Sequence, residues 1–484
     1  MTQLDDLIQS GSRIECHGPW PRVVVDRPAW EAAGAALAAG ELTLLGLWGE
    51  TETVHMAVGE TGRLAVLSLP CPDRRYPSIG RAHPPALRLE RAARDLYGLV
   101  PEGSPDTRPW LIHADPYPFL EAEGPGLHQI AVGPVHAGII EPGHFRFAAN
   151  GETIVRLEAR LGYTHKGVEA LMAGATVEAA AQIAGRVSGD STVAYAWAFV
   201  QAVETALGLK SPPRAIQLRA LMAELERLAN HLNDIGFVCN DAAFGLLHAH
   251  FAALREGVLR AADTAFGHRL MRDLIVPGGV SKDLAAPGKE AIAAAVAAIR
   301  RQWPLLVEIY DDTASLQDRT VGTGIVKTGL ARQDGAGGYV GRAAGRNFDA
   351  RAAFPYAPYD KLRFDVPVRE EGDVDARVRI RIAEAEQSLS LIDQLLAGLP
   401  DGPLYAPLPA ANGPAEGMAL VEAFRGDVLA WVRLNADGTV ARCHLRDASW
   451  FQWPLVEAAI EGNIVADFPL CNKSFNCAYS GVDL

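Results

Sequence analysis

A short polar segment of this sequence brings together side chains that could do chemistry. Arg186, Ser188, Asp190 and Ser191 all fall within residues 185–191, so one cation, one carboxylate and two hydroxyls are close neighbours. A serine nucleophile needs an adjacent general base, and nothing in the sequence places one beside these serines. Neutral hydroxyls are also poor ligands for nickel or iron, which thiolate sulfur holds better. The segment therefore predicts a small polar pocket lined by Ser188 and Ser191.

Two charged residues of this segment are expected to be paired. A buried carboxylate is unstable without a partner, so Asp190 is predicted to contact a cation. For Arg186, the expected partner is Asp190 or Asp318. Asp190 is then either a functional acid of the pocket or one half of an ion pair.

A second group of residues could move protons. His165 and Glu169 are four residues apart at the start of a predicted helix, so both can face the same side. An imidazole titrates near neutral pH, and His136 and His144 offer the same chemistry. The alternatives are structural: a histidine hydrogen-bonded beside a backbone turn, which we favour for His144, and a first-turn carboxylate stabilised by the helix dipole at Glu169.

Composition and charge limit the class of protein. With 484 residues, 49% of them apolar and 21% charged, the chain can form two or three domains around a large core. Its net charge of -13 argues against nucleic acid as a partner, because phosphate binding needs a basic surface. The acidic N-terminus does not resemble a signal peptide, so export is not expected. No run approaches the roughly 20 apolar residues of a membrane span, so membrane association is expected to go through partners.

Periodicity and breakers predict a small α/β module in the first part of the chain. Gly124, Pro125 and Gly126 then mark the boundary between predicted domains 1–125 and 126–484. The Pro-rich stretch before this boundary, 101–118, is expected to be extended. The predicted strands are 22–25, 42–48, 53–58 and 63–69, and the predicted helix is 85–96.

Long alanine- and leucine-rich helices are predicted after the boundary. In residues 213–235, leucines recur every three or four positions, which indicates one apolar face packed in a helix bundle. The chain ends in β-like segments followed by a helix. The predicted helices are 168–173, 176–186, 192–207, 213–235, 243–264, 289–313 and 374–396, the late strands are 418–421, 428–434 and 440–445, and the last helix lies near 453–461.

Several sequence blocks together resemble one family. Residues 90–98 and 105–110 are similar to the signature of the small accessory subunit of respiratory complex I. Residues 162–169, with Lys166 in place of an arginine, resemble a His-Arg-Gly-x-Glu block. This block belongs to the large subunit of complex I-related, membrane-bound nickel-iron hydrogenases of the formate hydrogenlyase kind, and to its homologue in complex I. Further blocks of that subunit are similar to residues 133–136, 141–146, 277–280 and 319–324.

The resemblance implies an α+β fold in which a small N-terminal α/β domain is fused to a mainly α-helical domain like the hydrogenase large subunit, with peripheral β-hairpins. The family's metal motif, Arg-x-Cys-Gly-x-Cys, falls on residues 186–191, so Ser188 and Ser191 stand where that family has cysteines. Its last two cysteines fall on Ala478 and Gly481. The resemblance therefore implies that this chain has no metal ligands of its own.

Three further positions bear on the chemistry that the resemblance implies. In complex I, a tyrosine that donates a hydrogen bond to the quinone falls on Gly189, which has no side-chain donor. Cys477 lies one residue before the third hydrogenase ligand, but one thiolate cannot replace four. The tail 467–476 is expected to enter the region where the family has its active site. Asn472 and Asn476 are expected to form hydrogen bonds with backbone groups there.

The resemblance also assigns roles to the residues named above. In that family, the glutamate at position 169 begins a proton path to the metal, and proton transfer is the main functional hypothesis for Glu169. The arginine at position 186 precedes the metal motif, where a cation balances anionic ligands. The expected catalytic residues are Glu169, His165, Asp190 and Arg186, and the expected cofactor-binding residues are His136, Ser188 and Ser191.

These implications predict a subunit of a membrane-bound, complex I-like or hydrogenase-related oxidoreductase. The chain would bind no cofactor itself, contact a small partner subunit that holds an iron-sulfur cluster, and couple electron transfer to proton or ion movement, with a quinone as a candidate acceptor. Antiporter-like membrane subunits complete the predicted hetero-oligomer, which places the chain peripherally at the cytoplasmic side of the inner membrane. The alternatives are a structural scaffold between the iron-sulfur and membrane subunits, and a hydrogenase with unusual metal ligation.

Overall fold

The predicted α+β class is confirmed by a computed structural model of the chain. Strands dominate the N-terminal part, and helices dominate most of the remaining chain. Residues 112–116 of the predicted extended stretch lie outside the part that the structure describes. The described residues are 2–60, 62–111, 117–137, 140–411 and 413–484.

Short strands and three helices make up the N-terminal part. They are α1 (Gln3–Ser10), β1 (Ser12–Arg13), β2 (His17–Gly18), β3 (Arg22–Val24), α2 (Arg27–Ala39), β4 (Thr43–Glu50), β5 (Thr53–Glu60), β6 (Arg63–Pro70), β7 (Arg75–Pro77), α3 (Leu87–Tyr97) and β8 (Val100–Glu102). Five strands form one mixed sheet in the order β1-β3-β6-β5-β4, with β3 parallel to β6 and the other neighbours antiparallel. All four predicted strands and the predicted helix are confirmed.

Two helices, α1 and α2, add to the predicted module. The side chain of Asp26 accepts the N–H of Ala29 at the start of α2, and Gly40 ends that helix in the left-handed conformation, with φ 74°. A capping box between Thr2 and Asp5 begins α1. The Asp26 cap and the Gly40 end explain why the alanine-rich stretch between β3 and β4 is helical.

A three-stranded sheet and a helix bundle come next in the chain. Residues Leu218, Leu225 and Leu232 are buried on the longest helix, so the predicted apolar face is confirmed. None of the described helices is both long and apolar enough to cross a membrane. The elements are β9 (Leu127–Val132), β10 (His144–Asn150), β11 (Thr153–Arg160), α4 (Val168–Met172), α5 (Val177–Ala184), α6 (Thr192–Ala206), α7 (Pro213–Asp241), α8 (Gly245–Phe266), β12 (Ile275–Val276), β13 (Gly279–Val280), α9 (Ala286–Asp312), α10 (Ala314–Thr320), α11 (Thr328–Gln333), α12 (Gly338–Ala343), α13 (Ala350–Ala353) and α14 (Val374–Ala397).

The C-terminal strands form a buried sheet. They are β14 (Ala415–Ala423), β15 (Gly426–Leu434) and β16 (Val440–Arg446), and they precede α15 (Ser449–Ile460) and α16 (Phe468–Phe475). One face of this sheet packs on α6. The other face meets the N-terminal sheet, where the rings of Trp48 and Trp431 are 5.6 Å apart. Both faces are therefore covered, and almost every position of β14 and β15 is buried.

The two predicted domains share this C-terminal sheet. Its strand order is β16-β15-β14-β2, so a strand from the first 20 residues completes it. His17 and Gly18 pair in parallel with Glu416 and Gly417. The boundary at residue 125 stays a prediction, because the structure joins the regions on either side through a common sheet.

Three charged residues on the other faces of α7 are buried and have partners in neighbouring elements. Arg219 contacts Glu204 at 2.7 Å, and Glu224 contacts Arg351 at 2.9 Å. Arg227 donates to a backbone carbonyl of β14 at 2.7 Å. Removing one member of a buried pair leaves an uncompensated charge, so these contacts fix the position of α7 against its neighbours.

The close approach of β14 to α6 gives a prediction about Gly417. A Cβ atom at this position would lie 1.9 Å from the carbonyl oxygen of Ala202. The variant Gly417→Ala should therefore force the strand away from the helix and lower the free energy of unfolding by about 1 to 3 kcal/mol. Urea denaturation followed by circular dichroism measures the change. The control is Gly257→Ala on α8, where a Cβ meets no atom within 4 Å. A loss of stability in the control as large as that in Gly417→Ala would contradict the packing explanation.

Candidate functional site

An ion pair between Asp190 and Arg425 lies at the centre of the candidate site. Asp190 is in the loop between α5 and α6, and Arg425 is in the turn between β14 and β15. The guanidinium donates from Nη1 to Oδ1 of Asp190 at 2.8 Å and from Nη2 to Oδ2, which is the two-pronged geometry that arginine forms with a carboxylate. The hydroxyl of Ser188 also donates to Oδ1, at 2.5 Å.

This ion pair joins four segments of the chain. Nη1 of Arg425 donates to Oγ of Ser191 at 3.2 Å, and Nε donates to the backbone carbonyl of Asn476 in the C-terminal tail. From α7, the side-chain amide of Asn230 donates to the backbone carbonyl of Asp190 at 2.7 Å. The structure therefore brings Ser188, Asp190 and Ser191 together, as predicted, but around an arginine from a distant turn.

Both members of the pair are ionised at neutral pH. Burial raises the pKa of the Asp190 carboxyl, but the charge and hydrogen bonds of Arg425 outweigh it and lower the pKa to about 2. Burial also lowers the pKa of Arg425, and the Asp190 carboxylate more than reverses this, so the pKa of Arg425 lies well above its usual value. Asp190 carries no proton to donate in this arrangement.

The predicted pairing of Arg186 is wrong. Its guanidinium forms two hydrogen bonds of 2.7 Å with the carboxylate of Asp273, and it donates to the carbonyl of Gln182 at 2.6 Å. The side chain follows the end of α5 and is 45% exposed. Arg425 reaches Asp190 from the strand side instead, so Arg186 lies outside the ion-pair centre.

The C-terminal tail lies in the pocket, as predicted. α16 ends at Asn476, whose backbone is left-handed with φ 47°. The side-chain amide of Asn476 donates to both oxygens of Asp234 at 3.1 and 3.0 Å, and Lys473 donates to the same carboxylate at 3.3 Å. The prediction that the Asn476 side chain satisfies backbone groups is therefore wrong, because its amide donates its hydrogen bonds to a buried carboxylate of α7. For the side chain of Asn472 it stays a prediction.

The residues at the cysteine positions of the family do not fit a nickel-iron centre. Ser188 donates its hydroxyl to a carboxylate, and Ser191 accepts from a guanidinium. At Gly481, a Cβ atom would lie 2.9 Å from the hydroxyl of Tyr195, so the backbone leaves no room for a cysteine. Burial raises the pKa of the Cys477 thiol, which keeps it protonated. Across the described ranges, no three His, Cys, Asp or Glu side chains are grouped so that they could hold a metal ion.

Glu169 belongs to a separate buried cluster. It lies in the first turn of α4, where Arg442 contacts its Oε2 at 2.8 Å, while Nδ1 of His444 and the N–H of Leu445 contact Oε1 at 2.8 and 3.0 Å. Burial raises the pKa of Glu169, but Arg442 and His444 together lower it to about 2. Glu169 is therefore an anion held by three groups, none of which belongs to the Asp190 centre.

The last residues of the chain hold the loop before α4. The carboxylate of Asp483 accepts the N–H groups of Gly162 and Thr164 at 2.9 and 3.0 Å, and the Thr164 hydroxyl at 2.7 Å. Nδ1 of His165 lies 3.2 Å from the backbone carbonyl oxygen of Asp483. The partner of His165 is thus the C-terminal tail, whereas Glu169 is held by β16.

His136 and His144, which lie between β9 and β10 and at the start of β10, have structural surroundings. His136 packs against the rings of Phe145 and Tyr479, with ring centres 5.4 and 6.2 Å apart. Nδ1 of His144 lies 3.4 Å from the carbonyl oxygen of Gly133, which is the turn contact that the sequence favours. Among the described residues, His136 has no contact with the Asp190 centre that would link it to a cofactor. Its predicted role in cofactor binding therefore stays a prediction.

Two charged residues of the site fall outside the sequence predictions. Arg425 occupies a turn between two apolar strands, a position that is usually exposed to solvent. Asp234 lies on α7, and the sequence contains a signal that could have found it. Polar and charged residues of α7 recur there at three- and four-residue spacing, so they share one face of the helix. The members of this face are Glu224, Arg227, His231 and Asp234.

A cavity of about 140 Å³ adjoins the ion-pair loop, between α7 and α8. A Cβ atom on Gly189 would meet no atom within 4 Å, so the loop leaves open space at this residue. Asp190, Glu226, Asn230 and Arg255 contribute polar groups to the wall, and most of the remaining wall is apolar. The site therefore combines a fixed ion pair with a neighbouring space large enough for a small ligand.

Comparisons with known proteins bear on the family of this chain. Residues 50–125 match the family described as respiratory-chain NADH dehydrogenase, 30 Kd subunit, and residues 243–416 match its 49 Kd subunit. Formate hydrogenlyase subunit 5 of Escherichia coli is 31% identical over 442 residues, which cover 84% of this chain and 77% of that protein. An NADH-quinone oxidoreductase subunit of Dehalococcoides mccartyi is 31% identical over 317 residues, which cover 64% of this chain and 84% of that protein.

A solved structure extends these matches to three dimensions. A chain of the membrane-bound sulfane sulfur reductase, an archaeal respiratory membrane complex, superimposes with a TM-score of 0.70 at 26% identity, covering 74% of this chain and 99% of that chain. These matches, and the order of the two matched regions, confirm the predicted resemblance. The chain belongs to the family of the 49 kDa subunit of respiratory-chain NADH dehydrogenase and formate hydrogenlyase subunit 5, with a region like the 30 kDa subunit fused on its N-terminal side.

Proposed function

We propose that this chain is a subunit of a membrane-bound, complex I-like or hydrogenase-related oxidoreductase that couples electron transfer to proton or ion movement without a nickel-iron site of its own. It packs against a partner subunit that holds an iron-sulfur cluster, and a quinone is one candidate acceptor. Antiporter-like membrane subunits, and a peripheral position at the cytoplasmic side of the inner membrane, complete the proposal.

The Asp190–Arg425 ion pair is the observation that carries this proposal. Serine hydroxyls stand at two positions where the resemblance places cysteines of the family, and they contact the Asp190–Arg425 pair, while the surrounding fold is retained. Arg425 is buried and the Asp190 side chain is 35% exposed, so water screens the pair only in part and the pair responds to a nearby change of charge. Reduction of a cluster or acceptor beside the pocket would add negative charge, which raises the pKa of Asp190 and favours proton uptake there, so electron transfer gains a route to proton movement.

Support for the partners comes from the relatives. The similar solved chain belongs to a respiratory membrane complex, and two relatives are named as subunits of larger enzymes. A hetero-oligomer with membrane subunits is therefore the assembly that we propose for this chain. The iron-sulfur partner extends the same proposal, because an electron that reaches the pocket needs a donor outside this chain.

A structural scaffold that docks the iron-sulfur subunit on membrane subunits is the second candidate. One observation favours it: Asp190 and Glu169 each have a pKa of about 2, so neither holds an exchangeable proton at neutral pH. Both carboxylates would then act only as members of ion pairs, the one at Glu169 buried and the one at Asp190 partly exposed. Variants of these two residues separate the candidates.

The metal content of the purified complex tests the absence of a nickel-iron site. We expect no stoichiometric nickel, because the four cysteine positions of the family carry no thiol in this chain. Elemental analysis measures nickel per chain. The double variant Ser188→Cys/Ser191→Cys should also lack nickel, since Gly481 has no room for a further ligand. One nickel per wild-type chain would instead favour a hydrogenase with unusual metal ligation.

Replacing Asp190 by asparagine leaves the Arg425 guanidinium buried without its anion. We expect Asp190→Asn to lower the free energy of unfolding by about 1 to 2 kcal/mol, because the Asp190 side chain is 35% exposed and solvent screens part of the interaction. We also expect it to slow electron transfer through the complex, measured as reoxidation of the partner's reduced iron-sulfur cluster by the acceptor.

The double variant Asp190→Asn/Arg425→Gln is the matched control for this change. It leaves no unpaired charge, so much of the stability should return. Slow electron transfer in a stable, assembled double variant supports the coupling role of the pair. Electron transfer that recovers together with stability would leave only the scaffold.

Glu169→Gln tests the second buried carboxylate through pH. The pKa of Glu169 is lowered from 4.5 to about 2, so its ion pair contributes stability above pH 4.5 that is lost as the pH falls towards 2. The melting temperature of the wild type should therefore fall over this pH range more steeply than that of Glu169→Gln. If Glu169 also transfers protons, the variant slows electron transfer at neutral pH. Unchanged electron transfer in an assembled variant would argue against the proton role.

A further inference from the structure

The cavity between α7 and α8 contains a buried carboxyl group, Glu226, that the proposed function does not use. Glu226 is only 8% exposed. Its Oε2 accepts the N–H of Val193 at 2.8 Å, and its Oε1 accepts the N–H of Ala194 at 3.2 Å. Both donors belong to the first turn of α6, and no arginine or lysine side chain forms a salt bridge with this carboxyl in the part of the chain that the structure describes. Glu226 is thus held by backbone groups at the edge of a cavity.

The surroundings of Glu226 keep it protonated at neutral pH. Burial raises its pKa, and the negative charge of Asp190 adds to this effect. The two backbone hydrogen bonds and the charge of Arg227 lower the pKa only in part, so it lies at about 8. The other charged groups that face the cavity are Arg255 on α8 and Arg269 in the loop after α8. A protonated Glu226 can donate a hydrogen bond to an occupant of the cavity.

The polar end of the cavity has a buried donor without a hydrogen-bond partner among the described residues. Nε of Arg255 is buried and has no hydrogen-bond partner within the same described part of the chain. Both amide protons of Asn230 are used, because they reach the backbone carbonyls of Asp190 and Glu226 at 2.7 and 2.9 Å. The carboxylate of Asp190 is occupied by Arg425 and Ser188. A ligand that satisfies this end must therefore bring an acceptor oxygen.

The size and walls of the cavity define the rest of the ligand. Its volume of about 140 Å³ is close to that of engineered cavities, about 150 Å³, that bind benzene. Apolar side chains of α7, α8 and the following loop face this space, so the body of the ligand should be apolar. These side chains are Leu225, Val258, Leu259 and Met271.

We infer that this cavity binds a neutral, ring-sized molecule through a carbonyl oxygen that accepts hydrogen bonds from Glu226 and Arg255. A neutral ligand fits best, because an anion would face Asp190 and a cation would face both Arg255 and Arg269. This ligand site goes beyond the proposed function, since binding requires neither electron transfer nor a partner's cluster.

Calorimetric titration of the purified complex with two probes of similar shape tests the inference. Acetophenone has a ring and one carbonyl oxygen, whereas cumene has the same outline without an acceptor. We expect acetophenone to bind about tenfold more tightly, because cumene would leave the buried donors without a partner. Equal affinities, or no binding of acetophenone, would overturn the proposal. Neither result bears on electron transfer, so failure here leaves the proposed function intact.

The pH dependence of acetophenone binding identifies the donor. Glu226 donates only while protonated, so the affinity should be constant below pH 8 and fall as the pH rises above it. In Glu226→Gln the amide keeps a donor at every pH, and this dependence should disappear. Glu290→Gln, an exposed glutamate on α9, is the matched control and should bind like the wild type. A pH dependence that persists in Glu226→Gln would contradict the assignment of the donor.

A second variant keeps the proposal testable where Glu226→Gln does not fold. Ala262 is buried on α8 and lines the cavity, so Ala262→Leu fills part of the space without changing a charge. The larger side chain should weaken acetophenone binding at least about tenfold. Acetophenone that binds Ala262→Leu as tightly as the wild type would show that it occupies another place, which would overturn the proposal.

Discussion

Compensation of buried charge is the constraint on which this structure depends. Taking an ion out of water is so unfavourable that each buried carboxylate needs a cation or several hydrogen bonds in a fixed geometry. Arg342 shows the consequence, because it contacts Glu384 of α14 at 2.7 Å and Glu422 of β14 at 2.9 Å. His231 of α7 lies 2.9 Å from the same Glu384. These contacts allow one relative position of α7, α14 and the C-terminal sheet, and that position in turn sets where Arg425 and the tail can lie.

The Asp190–Arg425 pair follows the same rule at the centre of the family's active-site region. A metal centre joins anionic ligands to a cation, and here a carboxylate and a guanidinium provide the two charges without a metal. Arg425 additionally takes hydrogen bonds to Ser191 and to the tail, so the pair replaces both the charge balance and the cross-links of a ligand set. The charges of this pocket are therefore balanced by residues of the chain itself, which is what the proposed function requires of a pocket without thiolate ligands.

Local patterns predict the elements of this protein better than its site. The strand at Thr53–Glu60 and the apolar face of α7 follow from periodicity, which acts over a few residues. The partner of Asp190 does not, because Arg425 is 235 residues away in the sequence while Arg186 is close by. Polar residues on α7 look the same in sequence whether they are solvated or buried in pairs. The protonation of Glu226 depends on burial and on Asp190, and neither is visible before the chain is folded.

The parallel pairing of β2 with β14 has a consequence for the order of folding. Arg22, in the strand that comes after β2, contacts Glu416 at 2.7 Å across 394 residues of sequence. A chain made from its N-terminus therefore emerges with this arginine unpaired and with the Trp48 face of its first sheet uncovered. Arg22 is paired and the Trp48 face is covered only when the C-terminal strands have formed. Bringing such distant segments together has an entropic cost that grows only slowly with the length of the intervening chain. The N-terminal sheet thus has an apolar surface that is open to chaperones, or to aggregation, until β14, β15 and β16 have been made.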